Sequence, residues 1–218
     1  MKEFIVWVIH TPAGSIALVS ALVALCSRKG TATHRIAGVY FTVSMLIMLV
    51  SGGMAALLKK SLDDAFLSGM VIYTVFTAWL TVYHKKGQTN ILEYSALTWV
   101  ALIAIAAYLA DPSWGHIRNP NTYPLWIGFA LLFAIGDIHN LIRSGLSGPL
   151  RILRHVWRMG FSLIWAALAF SDKIIKLQGS TIEEMPYIAA IPAILILLTI
   201  FYWVAIISLF SPKKFIKY

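Results

Sequence analysis

His34–Leu58 reads HRIAGVYFTVSMLIMLVSGGMAALL. Two chargeable residues, His34 and Arg35, stand at its front. A mostly apolar run follows, long enough to cross a bilayer core of roughly 30 Å as a helix. Gly38, Ser44, Gly52 and Gly53 interrupt the bulky residues, as small residues do where membrane helices pack closely. One segment therefore displays a lipid-soluble rod, a packing face and a candidate chemical group.

The rest of the chain repeats that character. Of 218 residues, 59% are hydrophobic and only 12% charged, and the mean hydropathy is +0.78. A soluble domain is about 45–50% apolar and about 25% charged, so the composition describes an integral membrane protein. Seven apolar segments are expected at 4–26, 36–58, 65–84, 91–110, 124–142, 155–172 and 186–210, which uses nearly all of 1–218 as a single transmembrane domain. Helix is the spanning form, because the runs are too continuous for the alternating strands of a barrel. The fold class is thus all-α, a polytopic bundle of seven transmembrane helices. The first segment follows a nearly neutral Met1-Lys2-Glu3 and ends at Arg28-Lys29, so it reads as a retained span and not as a signal peptide. Breakers fall between segments: Gly30, Lys85-Lys86-Gly87, Asp111-Pro112, and Gly145 with Gly148-Pro149. Pro192 lies inside the last span and predicts a kink. Cys26 is the single cysteine, so no intramolecular disulfide can form.

Charge sets the expected orientation. Eleven basic residues (Arg28, Lys29, Arg35, Lys85, Lys86, Arg143, Arg151, Arg154, Lys213, Lys214 and Lys217) flank one set of span ends. The other ends hold six, Lys2, Lys59, Lys60, Arg118, Lys173 and Lys176, among seven acids. Basic residues favour the cytoplasmic side, which predicts an outside N-terminus, a cytoplasmic C-terminus and an inner-membrane location. The net charge of +9 is explained by this bias, with the lipid bilayer as partner, no nucleic acid, and a homo-oligomer left open. Trp7, Tyr83, Tyr94, Trp114, Trp126, Trp157 and Tyr187 are expected at the two interfaces. The loop Asp111–Tyr123 reads as an ordered outer cap.

On this topology His34, His84, His139 and His155 share the cytoplasmic end, and His10 and His116 the outer end. Asp137 falls inside span five, and an ionisable residue at that depth is costly and by default functional. Imidazole is the commonest ligand for zinc, copper and haem iron. His34, His84, Asp137, His139 and His155 therefore form the candidate metal set, and His34 with His155 the first pair for a b-type haem, which needs two axial imidazoles. Against this stands a structural reading: helix-end histidines suit the headgroup region, and Asp137 pairs with Arg158 or Arg35 to lock two helices. No HExxH, CxxC, GxxxxGK[ST] or GxSxG spacing occurs, which leaves phosphate-loop and nucleophile-elbow chemistry without residues.

Two stretches carry a resemblance. His10 through Gly53 has a histidine opening span one and His34-Arg35-x-x-Gly38-x-Tyr40 opening span two. Arg154–Phe170, RHVWRMGFSLIWAALAF, has a His, then an Arg-Met pair, then a small-rich helix. Together they resemble an uncharacterised family of bacterial multi-pass membrane proteins, a domain of unknown function. The resemblance covers about half the chain, implies a seven- or eight-helix inner-membrane protein and supplies no reaction. It directs attention to His10, His34, Arg35, His155, Arg158 and Met159. The His-then-Arg-Met segment is also loosely similar to b-type haem membrane proteins. Three function classes remain: a membrane metalloprotein or b-type cytochrome, a metal-dependent hydrolase of a membrane substrate with Asp137 as base or ligand, and a transporter, sensor or assembly factor without a metal centre.

Overall fold

A computed structural model of the chain describes residues 4–84, 88–111, 113, 115 and 122–210. The described residues form seven α-helices and no strand. A π-helical segment, Ile5–His10, leads into α1 (Thr11–Cys26). Then come α2 (Ala32–Leu58), α3 (Leu62–Tyr83), α4 (Ile91–Tyr108), α5 (Thr122–Ile142), α6 (Gly148–Leu177) and α7 (Pro186–Phe210). Six of them are long and apolar enough to cross a membrane, and α6 is the one that is not. The expectation of Pro112, Trp114, His116, Arg118 and most of the outer cap, together with Lys2, Lys85, Lys86, Lys213, Lys214 and Lys217, lies outside the described residues.

Local chemistry explains the ends. Pro12 enters α1 without an N–H, and the wider π turn before it lets Thr11 bond back to Val6 O through both its amide and its hydroxyl (2.9 Å for the latter). Gly30, at φ +81°, turns the chain between α1 and α2. The Thr31 side chain caps α2 by accepting from the His34 amide. Asn90 and Glu93 form a reciprocal capping box at the start of α4, which satisfies two N–H groups that the helix leaves open. Inside the helices, Thr42, Ser44, Ser51, Thr77 and Thr81 return their hydroxyls to carbonyls one turn back. Such residues reach a lipid-embedded interior only with the hydroxyl satisfied in this way.

Two apolar cores share α3 and α6. One joins Ala17 and Ala21 of α1, Phe41, Met45 and Leu49 of α2, Val71 and Val75 of α3, and Leu163 and Ala166 of α6. The other joins Met70 and Tyr73 of α3, Val100 and Ile103 of α4, and Ala130 and Phe133 of α5, with Trp157 and Phe161 of α6 against it. In the first core α1 packs on α2, α2 on α3, α3 on α6 and α6 on α1, so α2 and α6 stand on a diagonal. In α3, 56% of the most apolar stretch is buried, against 6% in α7, which makes α3 the axis and α7 a rim helix held by α6.

The helices alternate, so one end of the bundle gathers the close of α1, α3, α5 and α7 with the opening of α2, α4 and α6. Lys29 Nζ lies 5.4 Å from the Trp203 ring centre, which ties the α1–α2 turn to the end of α7. Partial burial there holds the Lys29 ammonium below its usual pKa, a fall that the nearby Cys26 opposes. Arg151, at the opening of α6, donates to the carbonyls of Thr81, Val82 and His84 at the close of α3. This is called the basic end below.

Two expectations change. The sixth segment, expected at 155–172, is a 30-residue helix, Gly148–Leu177, and Arg154, expected on its basic flank, is buried within it. Trp126 and Trp157, expected at the interfaces, turn inward. Trp126 is buried with its ring 5.6 Å from Trp165, and Trp157 stacks on Phe133 at 4.9 Å. Tyr83, Tyr94 and Tyr187 are exposed.

Candidate functional site

Asp137 is the centre of a buried ionic network. It sits one turn before the end of α5 and is 1% exposed. Its Oδ1 accepts from Arg154 Nη2 at 2.7 Å and from Arg158 Nη2 at 2.6 Å. Its Oδ2 accepts from the Tyr73 hydroxyl of α3. Arg154 extends the network by donating from Nη1 to Thr81 Oγ1 at 2.7 Å, and Arg158 Nη2 also reaches Phe133 O at 3.3 Å. Thr74 and Ser162 join α3 to α6 one turn further in, at 2.9 Å. Arg154 and Arg158 stand four residues apart, on one face of α6, and Tyr73, Thr77 and Thr81 recur every fourth residue on α3. Two polar stripes at helical period therefore meet around one carboxylate.

The charges do not cancel. Guanidinium is always protonated, so two positive groups face one carboxylate. Arg158 is completely buried, between the rings of Tyr73 (5.3 Å), Trp157 (5.3 Å) and Phe133 (5.8 Å). The π faces take part of the place of missing acceptors. Even so, Arg154 Nε, Arg158 Nε and Arg158 Nη1 are buried without a hydrogen-bond partner.

Beside Arg154 a small crevice opens at the basic end. Leu80, Thr81, His84, Gln88, Glu93, Asn140, Leu146, Arg151 and Arg154 line it. His84 Nδ1 pairs with Glu93 Oε1 at 2.7 Å, and the other oxygen of Glu93 accepts from the Asn90 amide at 3.0 Å. Asn140 Oδ1 accepts from the Leu146 amide at 3.0 Å and so shapes the α5–α6 turn. That turn passes close to Gln88: a Cβ on Gly145, whose φ is +108°, would sit 2.4 Å from Gln88 N. Only glycine fits there.

The histidines follow a second pattern. His34 Nδ1 lies 3.0 Å from Ala24 O, His155 Nδ1 3.2 Å from Ala78 O, and His10 Nδ1 2.8 Å from Met48 O. A carbonyl only accepts, so each Nδ1 carries the hydrogen. In the neutral ring Nε2 then keeps the lone pair. His34 and His155 lie on the diagonal helices α2 and α6, toward the basic end. His10 lies at the other end of the same four-helix core, where Gly52 makes room for it: a Cβ on Gly52 would meet the ring at 2.9 Å.

The five expected metal ligands thus part company. His34 is bonded to Ala24 O and His155 to Ala78 O. His84 is engaged by Glu93 and Asn90. Asp137 holds two arginines and a tyrosine. His139 is exposed. Among the described residues no three of His, Cys, Asp and Glu come together as a metal ion would require. Set against protein-family models, curated proteins and solved structures, the chain matches none.

Sequence reasoning named Asp137 and offered Arg158 or Arg35 as its partner, of which the structure shows Arg158, and it missed Arg154 and Tyr73. The signal was present: Arg154 shares a helical face with Arg158, and Tyr73 heads the polar stripe of α3. Arg154 was assigned to the basic flank, since a count of flanking charges takes no account of the side chain's direction.

Proposed function

We propose that the chain is a seven-span protein of the bacterial inner membrane, N-terminus outside, which holds a b-type haem between His34 and His155. The composition and the six apolar helices support the membrane setting, and the excess of basic residues at one end supports the orientation. For α6 as the seventh span, the support is its 30 residues, about 45 Å at the helical rise of roughly 1.5 Å per residue. Its arginines are also turned inward, away from lipid.

One observation carries the haem reading. His34 and His155 stand on the diagonal helices α2 and α6, each with Nδ1–H held by a backbone carbonyl, at 3.0 and 3.2 Å, which leaves the Nε2 lone pair for a ligand. This second-shell bond sets the ring orientation and tautomer that an axial imidazole needs. A porphyrin brings four nitrogens of its own, so two imidazoles complete the set. The hydrolase reading instead needs a third protein ligand, and Asp137 has three of about four acceptor directions filled. Bound haem would supply one-electron chemistry. The chain's residues hold the rings in place: Ala24 O anchors His34, and Ala78 O anchors His155 from the axial helix α3.

Detergent-purified protein from haem-replete cells is expected to show a Soret band with about one haem per chain. The band should vanish in His34→Ala and in His155→Ala and survive in His139→Ala. A colourless wild type, or a band that persists in both alanine variants, refutes the reading.

A further inference from the structure

We propose that the open groove between α1 and α2 seats an acyl chain of an anionic phospholipid, whose phosphate lies at the turn joining the two helices. This rests on the membrane setting and not on the haem.

The groove measures about 570 Å³, within the roughly 300–1,000 Å³ of a small-molecule site. Ile16, Val19 and Val23 of α1 and Ile36, Ala37 and Tyr40 of α2 form most of its wall, and all but Ala37 are exposed. Ser15, Ser20 and Thr33 complete the wall. Ser15 and Ser20 give their hydroxyls to Thr11 O, Ile16 O and Ala17 O, so neither offers a free donor to an occupant. An apolar hollow on the outside of a membrane hairpin takes a hydrocarbon, and the bilayer supplies one as a lipid tail. From Ser15 to Val23 the helix rises about 12 Å, so the groove follows a tail lengthwise.

Charge selects the headgroup. Val23 and Thr33 lie nearest the turn at 27–31, and the groove ends there. Arg28 in that turn and Arg35 at the start of α2 are exposed, and neither has an ion-pair partner among the described residues. Lys29 is committed to the carbonyls of Ala24, Leu25 and Ser27 and to the Trp203 ring. No Asp or Glu occurs between Glu3 and Asp63. The hairpin therefore presents two uncompensated guanidiniums at the depth of the groove's end, which a lipid phosphate neutralises. A second copy fits less well. Docked by the same face about a twofold axis normal to the membrane, it would set both copies' Arg28 and Arg35 at one depth with no acid between them.

The test is native mass spectrometry of the detergent-purified full chain, titrated with phosphatidylglycerol or phosphatidylcholine of the same acyl chains. Each cation near a headgroup adds about fivefold in affinity for an anionic lipid, so about one phosphatidylglycerol per chain should bind roughly 25-fold more tightly than phosphatidylcholine. Arg28→Gln should cut that preference about fivefold, and adding Arg35→Gln should abolish it. Val19→Trp fills the groove from an exposed position and should weaken both lipids alike. Lys176→Gln, whose ammonium pairs with Asp172 at the opposite end, should change neither. Glycerol phosphate, a headgroup without a tail, should not displace the lipid. Equal affinity for the two lipids, an unchanged preference in the double variant, or unchanged binding in Val19→Trp would each overturn the proposal. So would displacement by glycerol phosphate, or a dimer in place of the bound lipid that Val19→Trp dissolves. A chain that stays monodisperse in water without detergent would overturn it by removing the membrane setting itself.

Discussion

Removing Asp137 should unfold this protein more readily than any other single carboxylate change. Asp137→Ala leaves Arg154 and Arg158 facing each other, with side chains 5% and 0% exposed and only Thr81 Oγ1 and Phe133 O as acceptors. Deleting one partner of a buried ion pair costs about 3–5 kcal/mol. Here one carboxylate serves two cations, which places the loss near about 5 kcal/mol. Arg158→Met removes one cation and keeps Asp137 bonded to Arg154 and Tyr73, so about 3 kcal/mol is expected. Were the sites independent, the double variant would lose about 8 kcal/mol. The bond they share is counted in both single variants, so the double variant should lose only about 5 kcal/mol, a coupling of about 3 kcal/mol. Tyr73→Phe deletes one hydrogen bond to the same carboxylate and should cost about 1.5–3 kcal/mol. Equilibrium unfolding in mixed micelles, followed by circular dichroism, measures all four. Asp137→Asn keeps one acceptor oxygen and gives a milder point on the series should the alanine variant fail to fold. A loss under about 1 kcal/mol in Asp137→Ala, or additivity within about 0.5 kcal/mol, refutes the network as the lock between α5 and α6.

Other consequences are local. Gly145→Ala places a side chain at φ +108° and a Cβ 2.4 Å from Gln88 N, so about 1–3 kcal/mol should be lost, with faster amide exchange at 88–93 and 144–148. Glu93→Ala removes both the capping box and the hydrogen bond from His84 and should cost about 2 kcal/mol, whereas Glu93→Gln keeps the box and should cost about half of that. Similar losses in the two variants would show that the box contributes nothing. Cys26 is exposed at the basic end, so an impermeant maleimide should label it in inside-out vesicles and leave it unmodified in intact cells. The reverse pattern inverts the orientation.

Much of the fold was legible because lipid leaves a chain few choices. Each apolar run has to become a helix, and the expected bounds at 91–110, 124–142 and 186–210 agree within two residues with α4, α5 and α7. The sixth segment was drawn short because its ends are basic. A hydropathy reading takes Arg154 as a flank, whereas the helix continues from Gly148 to Leu177 with that arginine inside. The tryptophans misled for a related reason: Trp126 and Trp157 suit an interface by chemistry, and it was their neighbours, Trp165 and Phe133, that drew them inward. At the site, the placement of His34 and His155 toward the basic end followed from alternation alone. The withdrawal of His84 and Asp137 from that pair did not, because each is held by a partner on another helix: Glu93 for one, and Tyr73, Arg154 and Arg158 for the other.

The sequence by itself determined that the chain forms apolar helices, where most of them end to within a turn, and that basic residues gather at alternate ends. Those properties belong to single segments and their solvent. The tertiary structure alone decided which polar groups meet. A helix offers its stripe of Arg154 and Arg158 in one direction only, and the identity of the helix lying there is a matter of packing over long sequence separations. Whether a buried arginine is satisfied, crowded or left with a free N–H depends on atoms up to eighty-five residues away, such as the Tyr73 ring against Arg158, and no local pattern records them.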